Sequence, residues 1–160
     1  MANIVYREPF KAFRFLVIVE GGGQPVSAAF SQFSGVKMQV QAVQVRAGSD
    51  YRGVADNIPA ITRYENVTFT KGVIGDNEFL DWILACAPDA SSPPTGRNMY
   101  RTINVVALDE KGNHGITWSL INALPVSYEL ATMDSAQSAV MTETVEFAIT
   151  GFKRVTKNPA

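Results

Sequence analysis

A chain of 160 residues with 46% hydrophobic and 18% charged side chains holds enough apolar material for one packed core, and that composition excludes a disordered polymer. Fourteen basic against fifteen acidic residues leave a net charge of −1, without the positive field that grips phosphate backbones, so no sequence-specific nucleic-acid binding is expected. A single cysteine, Cys86, excludes an internal disulfide. Met1–Phe10 has no apolar core or cleavage signal, and the longest apolar run, Phe15–Val19, is far too short for a membrane helix. The expectation is one domain over residues 1–160, with an N-terminal arm at 1–10, kept in a cytoplasm and not inserted in a membrane.

Alternation of period two begins early. Phe13, Phe15, Val17 and Val19 alternate with Arg14, Leu16, Ile18 and Glu20, predicting a strand with one strongly apolar face that ends in the turn Gly21-Gly22-Gly23-Gln24-Pro25. A second strand is expected over Ala28–Phe33, running into Ser34-Gly35. A third starts at Val36, with Val36, Met38, Val40 and Ala42 toward a core and Lys37, Gln39 and Gln41 away from it. The apolar positions change phase at Ala42-Val43, which one extra residue in an antiparallel ladder would produce, so a β-bulge is expected there. Ala47–Ile61 follows neither period and carries Gly48, Gly53 and Pro59; it reads as a long excursion rather than a hairpin, of a length usually tied to function. Asn66–Lys71 alternates again, Val67 and Phe69 opposite Thr68 and Thr70, and Gly72 closes it.

One helix follows. Asp76 is a suitable N-cap, Glu78 lies in the first turn, Phe79, Trp82, Ile83 and Cys86 fall at helical spacing, and Pro88 stops it. After the loop Ala90–Gly96, strands are predicted over Arg101–Leu108 and Ile116–Leu124, joined by the polar hairpin Asp109–Asn113. Pro125 interrupts, Val126–Leu130 resumes, and a long strand from about Val140 to Val155 sets Val145, Phe147 and Ile149 against Thr144, Glu146 and Thr150. About seven antiparallel strands and one flanking helix define a mainly β class, an antiparallel barrel or sandwich.

No catalytic, cofactor or metal constellation emerges. His114, the only histidine, sits in the Gly112–Gly115 hairpin and reads as a solvated turn residue; no nucleophile elbow accompanies it. Cys86 continues the apolar helix stripe and reads as a structural thiol. With one His and one Cys, zinc-ligand spacing is absent. Asp109-Glu110 suits a turn, and Glu143 and Glu146, three apart on a strand, face opposite ways. Gly21–Gly23 lacks the Lys-Ser/Thr of a phosphate loop.

Two stretches carry a family resemblance: Tyr64-Glu65-Asn66-Val67-Thr68-Phe69-Thr70-Lys71-Gly72, and then Phe79-Leu80-Asp81-Trp82-Ile83. With Phe15–Glu20 and Ser34-Gly35 before them, and Asp109–Gly112, Trp118, Asn122–Val126, Glu143, Glu146 and Gly151-Phe152 after, the order resembles the tail-tube proteins of contractile phages and extracellular contractile injection systems, with the Hcp-like tube fold. The resemblance implies hexameric rings whose neighbouring strands join into one barrel around a channel, and rings that stack. It implies the partners too: further copies of the chain, a sheath protein, baseplate and tube-terminator proteins, and cargo or DNA in the channel. The particle would be a phage tail or a tail-like injection particle made in a bacterial cytoplasm. On that footing Lys37, Gln39, Gln41, Thr68 and Thr70 are expected to line the channel. Gly48, Ser49, Asp50, Tyr51 and Arg52, in the 47–61 excursion, are expected to touch the next ring, and Asp76, Glu78 and Asp81 to face the sheath. A tube initiator or baseplate-proximal adaptor of the same fold, and a monomeric ligand-binding β-barrel, are the competing readings.

Overall fold

The computed structural model describes residues 14–21, 26–28, 30–49, 51, 53–73, 78–87, 99–137 and 139–156. Among them run ten strands: β1 (Phe15–Glu20), β2 (Val26–Ala28), β3 (Gln32–Phe33), β4 (Met38–Val45), β5 (Asp56–Tyr64), β6 (Val67–Gly72), β7 (Arg101–Leu108), β8 (His114–Leu130), β9 (Thr142–Ala148) and β10 (Gly151–Thr156). The helix α1 spans Glu78–Cys86. The expected antiparallel β fold with one flanking helix is present, but as an open sandwich and not a closed barrel. The strand count exceeds the seven expected because β5 lies in a stretch expected to be a loop, the single strand expected over Ala28–Phe33 is instead the two short strands β2 on β1 and β3 on β6, and one long strand is divided by a corner.

That corner organises the molecule. β9 and β10 keep one register along β8, from Pro125↔Phe147 through Gly151↔Ile121 to Thr156↔Ile116, so the long strand expected over 140–155 exists with a break at Ile149-Thr150. Thr150 N–H still donates to the Ile121 carbonyl at 3.1 Å across the break. β8 bends opposite it, at Asn122, whose φ of 53° lies in the left-handed region that Asn tolerates better than most residues. Just beyond, the register steps between Pro125 and Ser127, leaving Val126 as an extra residue, a bulge that adds bend. The first part of β8 therefore belongs to a sheet ordered β2-β1-β7-β8-β10, and its last part to a second sheet ordered β8-β9-β6-β3.

The alternating apolar faces of the two sheets meet. Val17, Val19, Ile103, Val105 and Leu120 come from one, and Val67, Phe69, Val145 and Phe147 from the other, all nearly inaccessible. Burying each such side chain contributes roughly 1.5–3 kcal/mol. Helix α1 closes one end of the sandwich: Phe79 lies edge-on to Phe147 with centroids 5.8 Å apart, and Trp82 stacks on Phe147 at 5.3 Å. The opposite end stays open as a cleft of about 580 Å³ lined mainly by Phe15, Phe33, Val36, Trp118 and Phe152.

β4 and β5 depart from expectation. Among the described residues they pair only with each other, forming an arm in which every β4 residue is exposed, so Met38 (48%) and Val40 (47%) do not enter the core. Of Val36, Met38, Val40 and Ala42, expected toward the core, only Val36, at the base, packs against it, joined there by Tyr64 of β5. The 47–61 excursion is likewise shorter than expected, because Asp56–Ile61 belongs to β5. Alternation fails as a signal here because water lies on both faces of the arm and Asp56, Asn57 and Pro59 dilute its β pattern. The bulge is present, but on the partner strand: the register shifts between Val40 and Ala42, so Gln41 alone faces Ala60-Ile61 beside Pro59, which has no N–H to give. Phe13, the turn at Gly22–Pro25, the arm at 1–10, Asp50, Arg52, Asp76, Pro88 and the loop 90–96 lie outside the described residues.

Candidate functional site: a two-faced wall and an uncovered arm

The sheet β8-β9-β6-β3 presents one dry face and one polar face. Because Val67, Phe69, Val145 and Phe147 point inward, Thr68, Thr70, Thr144 and Glu146 point outward. Cross-strand register places Thr68 beside Glu146, Thr70 beside Thr144, Ser127 beside Glu146 and Glu129 beside Thr144. Asn66 Nδ2 donates to Glu146 Oε1 at 2.7 Å, and the Thr70 and Thr144 hydroxyls lie 3.2 Å apart. Thr68 and Thr70 thus share a polar surface with four residues that sequence reading left unassigned: Ser127, Glu129, Thr144 and Glu146. The alternation of Thr144 and Glu146 with Val145 and Phe147 was the available signal.

The same surface continues onto the arm. Gln32↔Thr70, Phe33↔Phe69, Met38↔Tyr64 and Val40↔Thr62 keep one register, so β3–β4 and β5–β6 form one long hairpin. Its facing inverts midway, where Gly35 has a φ of +86°: Val67 and Phe69 are buried below that point, whereas Val36 and Tyr64 pack against the core above it. Lys37, Gln39 and Gln41, with Glu65 and Arg63 across from them, therefore lie on the polar side together with Thr68 and Thr70. Lys37 Nζ donates to Glu65 Oε1 at 2.7 Å. Met38, Val40 and Ala42 fall on the opposite, apolar side.

Behind the wall, Lys71 and Glu143 are buried to 3% and 7% exposure, with Lys71 Nζ 2.9 Å from Glu143 Oε1. The Tyr128 hydroxyl donates to Glu143 Oε2 at 2.8 Å, and the ammonium lies 5.4 Å above the centre of the Phe79 ring. Donation to Glu143, aided by burial, pushes the Tyr128 hydroxyl above the usual phenol range.

At the arm tip Gly48 and Ser49 are exposed and Tyr51 is 97% exposed. Asp81 lies on the exposed side of α1; the Glu78 side chain and Asp76 are outside the described residues. Residues weighed for chemistry are dispersed. His114 is exposed at the start of β8, opposite Leu108. Glu143 is buried while Glu146 faces out. Asp109 accepts from the Lys111 and Asn113 backbone N–H groups at 2.9 and 2.8 Å, and the Asn113 contacts chiefly hold its carboxyl below the usual range. The Cys86 thiol, 3.6 Å from the Met99 carbonyl, is pushed up by burial, the reverse of an activated nucleophile. Among the described residues no group of three or more His, Cys, Asp and Glu could hold a metal ion, and no helix is long and apolar enough to cross a membrane.

Among the described residues the fold is thus an open sandwich with a polar outer wall and an arm whose strands are exposed on both faces. The chain belongs to the family described as T4-like virus tail tube protein gp19, whose model matches residues 11–153. No curated protein matches it. Among solved structures it is similar to a chain in the anti-feeding prophage (AFP) baseplate, 6-fold symmetrised, at 20% identity over 94% of this chain and 98% of that one, TM-score 0.76. It is similar to a chain of an extracellular contractile injection system, the PVC sheath–tube complex in the extended state, at 22% identity over 93% of each, TM-score 0.74. Hcp1 from Flavobacterium johnsoniae shares the fold more distantly, at 13% identity over 89% of this chain and 96% of that one, TM-score 0.50.

Proposed function

We propose that this tail-tube protein forms rings that stack into the inner tube of a contractile phage tail or tail-like injection particle, with the polar face of β8-β9-β6-β3 toward the channel. The observation that carries this is the continuous hydroxyl, amide and mixed-charge surface of Thr68, Thr70, Ser127, Thr144, Gln39, Gln41, Lys37, Glu129 and Glu146, backed by a dry core. A wall with few charges of either sign lets cargo or DNA slide without binding it. A ring number of six draws on the similarity to the six-fold symmetrised baseplate. The role is mechanical, not catalytic.

The arm supplies the contact between rings, through Gly48, Ser49, Asp50, Tyr51 and Arg52 in the sequence between β4 and β5. Deleting the tip, rather than the wider Gly48–Pro59 stretch that would cut into β5, leaves rings but no long tubes; tubes of normal length from that variant would refute this role. Asp81, on the exposed side of α1, is the described member of the expected sheath contact with Asp76 and Glu78, and baseplate and terminator proteins occupy the two ends. Similarity to a baseplate chain also supports a second reading, a tube initiator that forms capped rings and does not polymerise alone. A ligand-binding reading would have to use the apolar cleft between Phe15 and Phe152.

Negative-stain electron microscopy of the purified chain, with light scattering, tests the proposal. Rings or stacked tubes with a central hole are expected. A monomer at all concentrations, even with baseplate components present, would overturn it.

A further inference from the structure

The two ends of the sandwich are not alike. At one end the rings of Phe79 and Trp82 from α1 plug the gap between the sheets, packed on Phe147. At the other the gap stays open as the cleft of about 580 Å³, within the range of roughly 300–1,000 Å³ in which small-molecule sites fall. We propose that this cleft binds a small amphipathic anion, a long-chain carboxylate in class, whose apolar tail takes the place that α1 fills at the far end. The site lies within one copy and does not depend on ring formation.

Register builds the floor of the cleft. Phe15 faces Ala107, Val105 faces Trp118 and Leu120 faces Phe152, so β1, β7, β8 and β10 bring these side chains to the inner face of one sheet. The lip is the stretch of the long hairpin around Gly35, with Phe33 before it and Val36 after it. Phe15, Phe33, Trp118 and Phe152 are all left half-buried, so aromatic surface meets water in the gap. Covering that surface is favourable in proportion to the apolar area removed from water.

Charge at the opening selects the head group. Arg14 lines the cleft, and its Nη1 donates to the Glu110 carbonyl at 2.8 Å, which fixes the guanidinium at the rim. Arg154 follows Phe152 by two residues, on the same side of β10, and lies in register with Trp118. Both arginines are exposed, so a carboxylate at the mouth meets them without losing its own water. Among the described residues that line the cleft there is no acid, and Ser31 and Gln32 add polar groups to the rim. An apolar slot with guanidinium groups at its mouth fits a tail with an anionic head and disfavours a cationic head on the same tail.

Dodecanoate is the probe, used with the full chain far below micelle formation, at a protein concentration where light scattering finds the chain dispersed. Isothermal titration should show saturable binding near one per chain, at least about tenfold tighter than octanoate, because each further buried methylene adds to the transfer. Dodecyltrimethylammonium, the same tail with the opposite charge, should bind about threefold more weakly or worse, the modest effect of exposed charges. Arg14→Gln with Arg154→Gln should erase that difference. Terminally brominated dodecanoate quenches an indole close to it, so it should dim Trp118 and not Trp82 on α1 at the far end. Trp118→Phe should abolish the quench. Ala107→Leu fills the floor and should weaken binding about tenfold; Val36→Phe at the lip serves in its place where Ala107→Leu lowers the melting temperature. No saturable binding, equal affinity for the two heads, or quenching that survives Trp118→Phe overturns the site. So does Trp118 emission that shifts with protein concentration alone and ignores dodecanoate, the signature of a second copy seated in the cleft. Each of these results leaves the tube reading standing, since microscopy tests that separately.

Discussion

The buried Lys71–Glu143 pair offers a quantitative test of how the wall is held together. Lys71→Met keeps the length and apolar stem but removes the ammonium 2.9 Å from Glu143 Oε1, leaving a carboxylate at 7% exposure with only the Tyr128 hydroxyl on its other oxygen. Breaking a buried pair from one side costs about 3–5 kcal/mol. The retained Tyr128 bond places the expected loss near the lower end, about 3 kcal/mol, a large share of the 5–15 kcal/mol typical of a domain. In urea that moves the midpoint down by about 1.5 M for a slope of about 2 kcal/mol/M. Tryptophan fluorescence reports it well, since Trp82 stacks on the Phe147 ring close to the pair. Glu143→Leu alone should cost a similar amount, because it strands the ammonium. Lys71→Met with Glu143→Leu removes both charges and should return to within about 1 kcal/mol of the parent. Additive losses in the double variant, or less than 1 kcal/mol from either single one, would refute the reasoning.

Three further outcomes follow from the same coordinates. Tyr128→Phe removes one hydrogen bond to a charged acceptor and should cost about 1–2 kcal/mol at neutral pH. Because the folded phenol titrates above its ordinary range, that contribution holds below pH 10 and fades as pH rises through the folded value; the variant should lack this alkaline loss in pH-dependent melting. Asp109 is the opposite case: its folded carboxyl titrates below the ordinary value, so its support of the β7–β8 turn is present above that value and lost as acid protonates it. The protection of the Asn113 amide, taken relative to its intrinsic exchange rate at each pH, should fall in acid for the parent and be low at every pH in Asp109→Ala. Phe147→Ala empties the site where Phe69, Phe79 and Trp82 converge and should cost about 3–5 kcal/mol by denaturant melting.

Much of this architecture was legible wherever a strand has one wet and one dry face. Val17 and Val19, Val67 and Phe69, and Val145 and Phe147 all announced buried faces by alternation, and the helix stripe of Phe79, Trp82 and Ile83 packs as its spacing predicted. Legibility failed on the arm, where Met38 and Val40 alternate like core residues but stay half exposed. β5 went unseen because Pro59 and its bulge break the pattern that its partner strand keeps. The polar wall was half legible: Thr68 and Thr70 were found, but Glu146 and Glu129 join them only through long-range register. Lys71 and Glu143 share the parity of Val67 and Val145, so their burial was readable in principle; what hid it was the expectation that charges stay in water.

The uncovered arm also bears on kinetics. A two-stranded ribbon with water on both faces is marginal by itself, so a lone copy gains little by holding its arm in order. The first few copies to meet must supply that ordering cost with few contacts to offset it, whereas a copy landing on an existing ring meets a complete template. On the proposed tube reading, growth should therefore show a lag that preformed rings abolish.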